Sequence, residues 1–463
     1  MIAIWKYHKI PCLFFILSCI FYVSFAYNLE RLDTTKLLWL YVALFVFAFQ
    51  IIKTSGISFS NKLNTPFKLL IVFSVLSRLI FLFAIPNLSQ DFYRFIWDGR
   101  MALEGFNPYL YTPHSFIENG TFPIHQAQEL YDGMGSLSAS HFTNYPPINQ
   151  LCFTIAALFS GNSIIGSVIV MRLIIIAADI GVLYFGRKLL QRLKLPTGRI
   201  FWYLLNPFII IELTGNLHFE GVMIFFLVWS LYLLHVGKWK WAAVILACSI
   251  SVKLIPLMLL PLFFNWFTNN SLSDRKEKLN LFKLIIFYTI IGVITLLFFL
   301  PFFSIEFITN YSKTVGLWFG NFEFNASIYY LARAIGYAIT GYNEIAIIGK
   351  ILPLISVLII LGFTFFKRNN SLQKLITSML LVFTCYLFLS TTVHPWYIAT
   401  LVILSTFTDY KFPFIWSLVV VLSYLAYSNM ANSENLWAIA LEYSIVVSVF
   451  VWEVFIKKRP LAY

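Results

Sequence analysis

Residues 281–303 read LFKLIIFYTIIGVITLLFFLPFF, with one lysine in 23 positions. An α-helix needs about 18 or more such residues to cross the hydrocarbon of a bilayer. A soluble surface helix would show an apolar stripe recurring every three or four residues. A strand of a membrane barrel would show about ten residues of strict alternation. This stretch shows neither pattern, and runs like it recur from residue 10 to residue 456. They lie near 10–27, 37–52, 68–86, 164–186, 199–214, 218–235, 240–253, 254–267, 280–303, 344–366, 372–390, 395–409, 412–428 and 436–456, about fourteen in all. The chain therefore reads as an all-α polytopic membrane protein, with residues 1–463 forming a single integral membrane domain. No small-x-small cleavage site closes 10–27, which reads as a retained first span. The stretches 240–253 and 254–267 read either as a bent hairpin that does not fully cross or as one long helix kinked near Pro256.

Composition agrees: 60% of residues are hydrophobic, 19% aromatic and only 11% charged. The net charge of +13 does not point to nucleic acid, because the basic residues sit in short connectors and form no aromatic-interleaved patch. Most Lys and Arg fall in alternate connectors, around Lys53, Arg187 to Arg199, Lys238, Arg275, Lys367 and Lys457. The positive-inside rule places those connectors in the cytoplasm, together with both termini. The opposite side then receives residues 87–147, residues 304–343 and the short STTVHPWY at 390–397. The apolar stretches 148–160 and 326–340 are too short to cross and read as helices lying at the interface.

The five cysteines lie in apolar stretches with no CxxC or Cys/His spacing, the usual setting of inert thiols. No HExxH, Walker or GxGxxG pattern is present. No cofactor and no metal are expected. What remains are ionisable groups at membrane depth, which need a partner or a watery cavity: Arg78, Arg172, Asp179, Glu212, His218, Glu220, Lys253 and His394. Several of them lie at span ends on the non-cytoplasmic side, beside the acidic segment 87–147. That convergence suggests a site pairing carboxylates with cations, suited to a lipid phosphate and a polar acceptor.

Four strings carry a resemblance: D-x-Y-R-x-x-W-D-G-R with G-x-N-P-Y (Asp91 to Tyr109), Y-P-P-x-N-Q (Tyr145 to Gln150), N-P…E-L-T-G-N-x-H-F-E (Asn206 to Glu220) and V-K-L-I-P-L (Val252 to Leu257). In combination, over about residues 66–400, the chain resembles the GT-C superfamily, and within it the bacterial polyprenyl-phosphate-mannose-dependent mannosyltransferases. The resemblance implies a bundle of about twelve to fourteen transmembrane helices with large extracytoplasmic loops, in the plasma (inner) membrane. It implies a hexosyltransferase of cell-envelope glycan synthesis that takes a sugar, mannose by family, from a polyprenyl-phosphate donor, with inversion and without an essential metal. The acceptor is left open among glycan, lipid and protein, and other sugars remain open too.

The family's catalytic acid stands in the first large outer loop, where this chain has Asp91. The second adjacent acid often seen there is absent, since the neighbours are Gln90 and Phe92; Asp98 is the alternative second carboxylate. With Asp91 as general base, Lys253, Arg78, Arg94 and His394 are the expected phosphate ligands. Asp98, His218, Glu220 and Trp396 are the expected sugar or acceptor ligands. Arg94 has a second reading as an ion partner of Asp91 and Asp98 on its own helix. Rival readings are a transporter or lipid flippase, which would spread polar groups through the full depth, and a lipid-linked oligosaccharide polymerase or ligase.

Overall fold

The structure is a computed structural model that describes residues 8–56, 64–268, 277–320, 322–428 and 433–457. Among these the chain is helical, with one isolated bridge joining Phe324 to Thr392. Seven helices are long and apolar enough to cross a membrane: Lys9–Asn28, Thr34–Thr54, Ile164–Arg192, Leu281–Phe302, Ile345–Phe366, Leu372–Leu389 and Leu436–Ile456. Their starts are built locally. Asp33 accepts from Lys36 N at 3.0 Å, and Ser163 accepts from Gly166 N at 3.0 Å. Such caps satisfy amides that a helix start leaves open. Large apolar side chains on these helices point outward, among them Leu296 (70% exposed), Trp437 (86%) and Phe366 (88%). An apolar surface of this kind suits lipid, not water.

The other apolar stretches form shorter or broken helices, so among the described residues about fourteen expected spans become seven helices of crossing length, or eight if one bent pair counts as a span. Pro207–Gly215 and Glu220–His235 are two limbs bent by 115°. Pro207 opens the first limb at a helix start, where its missing donor costs nothing, and the limb's last residues, Ile210–Gly215, widen into a π-helix before the bend. The chain doubles back at Lys253. Trp239, which opens the helix Trp239–Val252, meets Phe267 near the end of the following limb, ring centroids 6.1 Å apart. Of the two readings of this segment, the hairpin is the one found.

Connectors rich in Lys and Arg meet at one end of the bundle. There Arg199 Nη2 pairs with Asp409 at 2.9 Å, Asn265 donates to the carbonyl of Lys367 at 2.8 Å, and Glu453 accepts from Lys411 N at 2.7 Å. The opposite end carries a cap of shorter helices: Asp91–Leu103, Pro113–Glu118, Ala127–Ala139 and Pro147–Ser160, then Ile305–Gly320 and Ile328–Thr340. Helix Asp91–Leu103 lies hard against Pro147–Ser160 because Gly99 has no side chain. A Cβ there would stand 2.3 Å from the carbonyl oxygen of Phe153. Backbone cannot yield as a flexible side chain can. Gly99→Ala is therefore expected to destabilise by on the order of 3 kcal/mol, read as a lowered unfolding midpoint in detergent and lowered activity. A wild-type midpoint would mean that the two helices do not pack as described.

The buried ions are held by protein. Arg78 Nε lies 2.6 Å from Asp179 Oδ2, and Arg78 Nη1 donates to the carbonyls of Ser74 and Leu204 at 2.9 and 2.7 Å. Both side chains are almost wholly buried. This displaces Arg78 from its expected place as a phosphate ligand, because its charge already answers a buried carboxylate. Arg172 is paired with no carboxylate among the described residues and is satisfied by carbonyls instead. Nη1 donates to Leu82 and Ala84 at 3.0 and 2.8 Å, Nε to Thr214 at 2.8 Å and Nη2 to Gly215 at 2.9 Å.

Candidate active site

Under the cap lies a cavity of about 790 Å³. Asp91 lines it from the first turn of its helix, where the amide ends favour a negative group. The segment leading to Asp91 is tied down repeatedly. Arg172 holds the carbonyls of Leu82 and Ala84, and the same guanidinium holds Thr214 and Gly215 just before His218 and Glu220. Asn87 Nδ2 donates to the carbonyls of Phe25 and Leu29 at 2.7 and 3.2 Å. Gln90 Nε2 donates to the carbonyl of Met134 at 3.0 Å. One buried cation and two amides thus fix the carboxylate against three parts of the chain.

Five of the expected site residues line the cavity: Asp91, Arg94, Lys253, His394 and Trp396. Three stand one layer behind. Asp98 is fully buried and accepts from Arg94 Nε at 2.8 Å and from Gln150 Nε2 at 3.1 Å. It orients Arg94 and does not face the cavity, so the expected sugar contact is replaced by an intrahelical pair. Arg94 Nη1 also donates to the carbonyls of Ser138 and His141 at 2.7 and 2.9 Å. Glu220 is fully buried with Oε1 3.0 Å from Lys253 Nζ. Neither of its oxygens has a directed hydrogen-bond donor among the described residues, so the Lys253 charge is what balances it. Lys253 also sits 5.1 Å above the Tyr145 ring. His218 is buried and stacks on Trp396 with centroids 3.7 Å apart. The Trp396 ring also stacks on His394 at 4.5 Å.

Electrostatics separate the roles. Burial pushes the Asp91 carboxyl above its usual range; Lys253 pulls it back, Glu220 adds to the rise and Arg31 opposes it. Burial, helped by the Lys253 charge, lowers His394 to about 3. The imidazole is therefore neutral near pH 7, and His394 lines the cavity as a neutral hydrogen-bonding group and not as a cation. Among the described residues no three His, Cys, Asp or Glu side chains are grouped to hold a metal.

Several lining residues were not singled out from the sequence as ligands. Arg31 enters from the turn between the first two long helices, and Tyr427, Phe324, Glu323 and Glu434 form the far wall. The far wall is assembled by the bridge at Phe324 and Thr392: Phe324 N donates to the carbonyl of Thr391 at 3.1 Å, and Val393 N to that of Phe324 at 2.8 Å. Glu434 accepts from Asn325 N at 2.6 Å and from the Tyr330 hydroxyl. No short motif announces these residues. Tyr145 and Tyr397, by contrast, lie inside strings that drew notice, YPPINQ and HPWY.

A family model described as alpha-(1->6)-mannopyranosyltransferase, N-terminal domain, matches residues 19–269. Alpha-(1->6)-mannopyranosyltransferase A of Mycobacterium tuberculosis is 21% identical over 196 residues, which cover 42% of this chain and 36% of that protein. The match thus spans about a third of the length of that curated relative. The matched stretch contains Arg31, Asp91, Arg94, Glu220 and Lys253, while His394, Trp396 and the far wall lie beyond it. With more than half of its residues under that model, this multi-pass membrane protein belongs to the alpha-(1->6)-mannopyranosyltransferase family.

Proposed function

We propose that the protein transfers a sugar, mannose in the first instance, from a polyprenyl-phosphate donor to a hydroxyl acceptor at the extracytoplasmic membrane surface. The observation that carries the reading is Asp91, a carboxylate at a helix start in a roomy cavity shared with Lys253, Arg94 and Arg31. The cavity end faces away from the basic connectors, which supports an extracytoplasmic opening. A prenyl tail would anchor the donor in the bilayer while its phosphate reaches the cavity, and the acceptor would arrive from water.

The step is a displacement with inversion. The acceptor oxygen forms a bond to the anomeric carbon, and the bond from that carbon to the phosphate oxygen breaks. The electron pair leaves with the polyprenyl phosphate, and the hydroxyl proton passes to Asp91. Cavity cations stabilise the charge that grows on the leaving phosphate. Arg94 is held for this by Asp98, and Lys253 by Glu220.

Asp91 must be unprotonated to act. Its raised pKa therefore sets an acid limb to the pH–rate profile: activity rises with pH through a value above the ordinary Asp range of about 3.9. Glu220→Gln removes a charge that raises the Asp91 pKa, so the limb is expected to move to lower pH. A limb unmoved in that variant would detach Asp91 from the rate.

The direct test uses the purified chain in vesicles with labelled polyprenyl-phosphate-mannose and a mannoside acceptor. Label appearing in the acceptor supports the reading. Label crossing into the vesicles unchanged would make the protein a transporter. Membrane-impermeant labelling of a cysteine placed at Glu104, on the rim of the cap, reads the side; reaction only from the cytoplasmic face would overturn the topology.

A further inference from the structure

Three Lys or Arg side chains line the cavity among the described residues: Arg31, Arg94 and Lys253. Two are already answered by buried carboxylates. Arg94 is paired with Asp98 at 2.8 Å, and Lys253 with Glu220 at 3.0 Å. An anion that drew either of them away would leave a fully buried carboxylate unbalanced, which is strongly unfavourable. Arg31 differs. No carboxylate of the described residues lies within ion-pair distance of it. Its guanidinium carbon sits 3.5 Å above the Tyr427 ring, and its Nε is buried without a hydrogen-bond partner. The carboxylate on the same wall, Glu434, is taken by Asn325 N and the Tyr330 hydroxyl.

Arg31 is also held in place by the fold. It stands in the turn between Lys9–Asn28 and Thr34–Thr54, closed by the Asp33 cap and by Lys36 Nζ donating to the carbonyl of Asn28 at 2.6 Å. Asn87 reaches the carbonyl of Leu29, two residues before Arg31, from a position four residues before Asp91. One amide thereby sets the turn that carries the guanidinium against the segment that carries the base.

We propose that Arg31 is the direct ligand of the donor's phosphate, presenting its planar N–H donors to the phosphate oxygens while the Tyr427 face fixes its plane. This rests on the polyprenyl-phosphate reading above and assigns the ligand within that site. An arginine fork suits two phosphate oxygens. The donor is a phosphodiester with one negative charge, and its departure leaves a monoester with more. The Arg31 contact therefore strengthens as the bond breaks, the condition for lowering a barrier. Lys253 and Arg94 then supply the surrounding positive field while keeping their own partners.

The test compares binding of a polyprenyl monophosphate with that of the uncharged polyprenol of equal chain length, to the full chain in detergent. The wild type is expected to prefer the phosphate by on the order of 10- to 100-fold, the scale of a charge-assisted contact. Arg31→Gln is expected to lose that preference while its unfolding midpoint without ligand stays at the wild-type value. Arg31→Lys is expected to regain part of it, and serves as the second variant should the glutamine protein fold poorly. A full preference surviving in Arg31→Gln, or in Arg31→Lys if only that variant can be measured, would overturn the assignment of Arg31 alone. A wild type with no preference would instead remove the polyprenyl-phosphate reading itself.

Discussion

Asp91→Asn is expected to abolish sugar transfer while leaving the fold intact. The amide has nearly the shape of the carboxylate but cannot take the acceptor's proton. General-base catalysis contributes about 10²- to 10⁴-fold, so the residual rate should fall by that factor at every pH at which the wild type is active. The fold should tolerate the change, because Asp91 is in no ion pair among the described residues and its side chain borders the cavity, where an amide of the same shape fits. Initial rates and the unfolding midpoint of the same preparation check both halves. A rate within a few-fold of wild type would end the assignment. Asp91→Glu is expected to retain a fraction of the activity, since the base is kept but displaced by one methylene.

Lys253→Met is expected to damage both stability and rate, for separable reasons. Removing the ammonium leaves the fully buried Glu220 uncompensated, which typically costs about 3–5 kcal/mol. It also removes the charge that most lowers the Asp91 pKa. The acid limb of the profile should then move to higher pH, with activity lost on the acid side and partly recovered in more alkaline buffer. The double variant Lys253→Met with Glu220→Gln separates the two effects. It should recover most of the unfolding midpoint, because no buried charge is left alone, yet not the wild-type rate, because the cavity has lost a cation. A double variant as active as the wild type would reduce Lys253 to a structural partner of Glu220.

These two residues show how unevenly the site could be read in advance. Asp91 and Asp98 belong to one helix seven positions apart, both in a string that drew attention, and both were expected at the site. Only the first faces the cavity. The helix enters the protein within its next turns, so Asp98 is enclosed by Arg94 and Gln150. Arg78 and Lys253 looked alike as cations near span ends. Asp179, more than a hundred residues from Arg78 in sequence, takes one of them into the bundle, while Glu220 holds the other at the cavity wall. Arg31 stands in a short connector, and nothing local in the sequence distinguishes it from Lys36.

The amino-acid sequence alone determined the membrane class and the helical architecture. A backbone surrounded by lipid must satisfy its own hydrogen bonds, and long runs such as 281–303 leave the helix as the form that does so. It also marked the strings from Asp91 to Leu257 where polar chemistry gathers. The tertiary structure decided which polar groups face the cavity and which meet each other. That choice depends on pairing between distant segments, Asp179 with Arg78, Glu220 with Lys253 and Asn87 with the turn before Arg31. A buried charge goes to whichever opposite charge the packing brings within reach, and packing is a property of the whole bundle, not of any one helix.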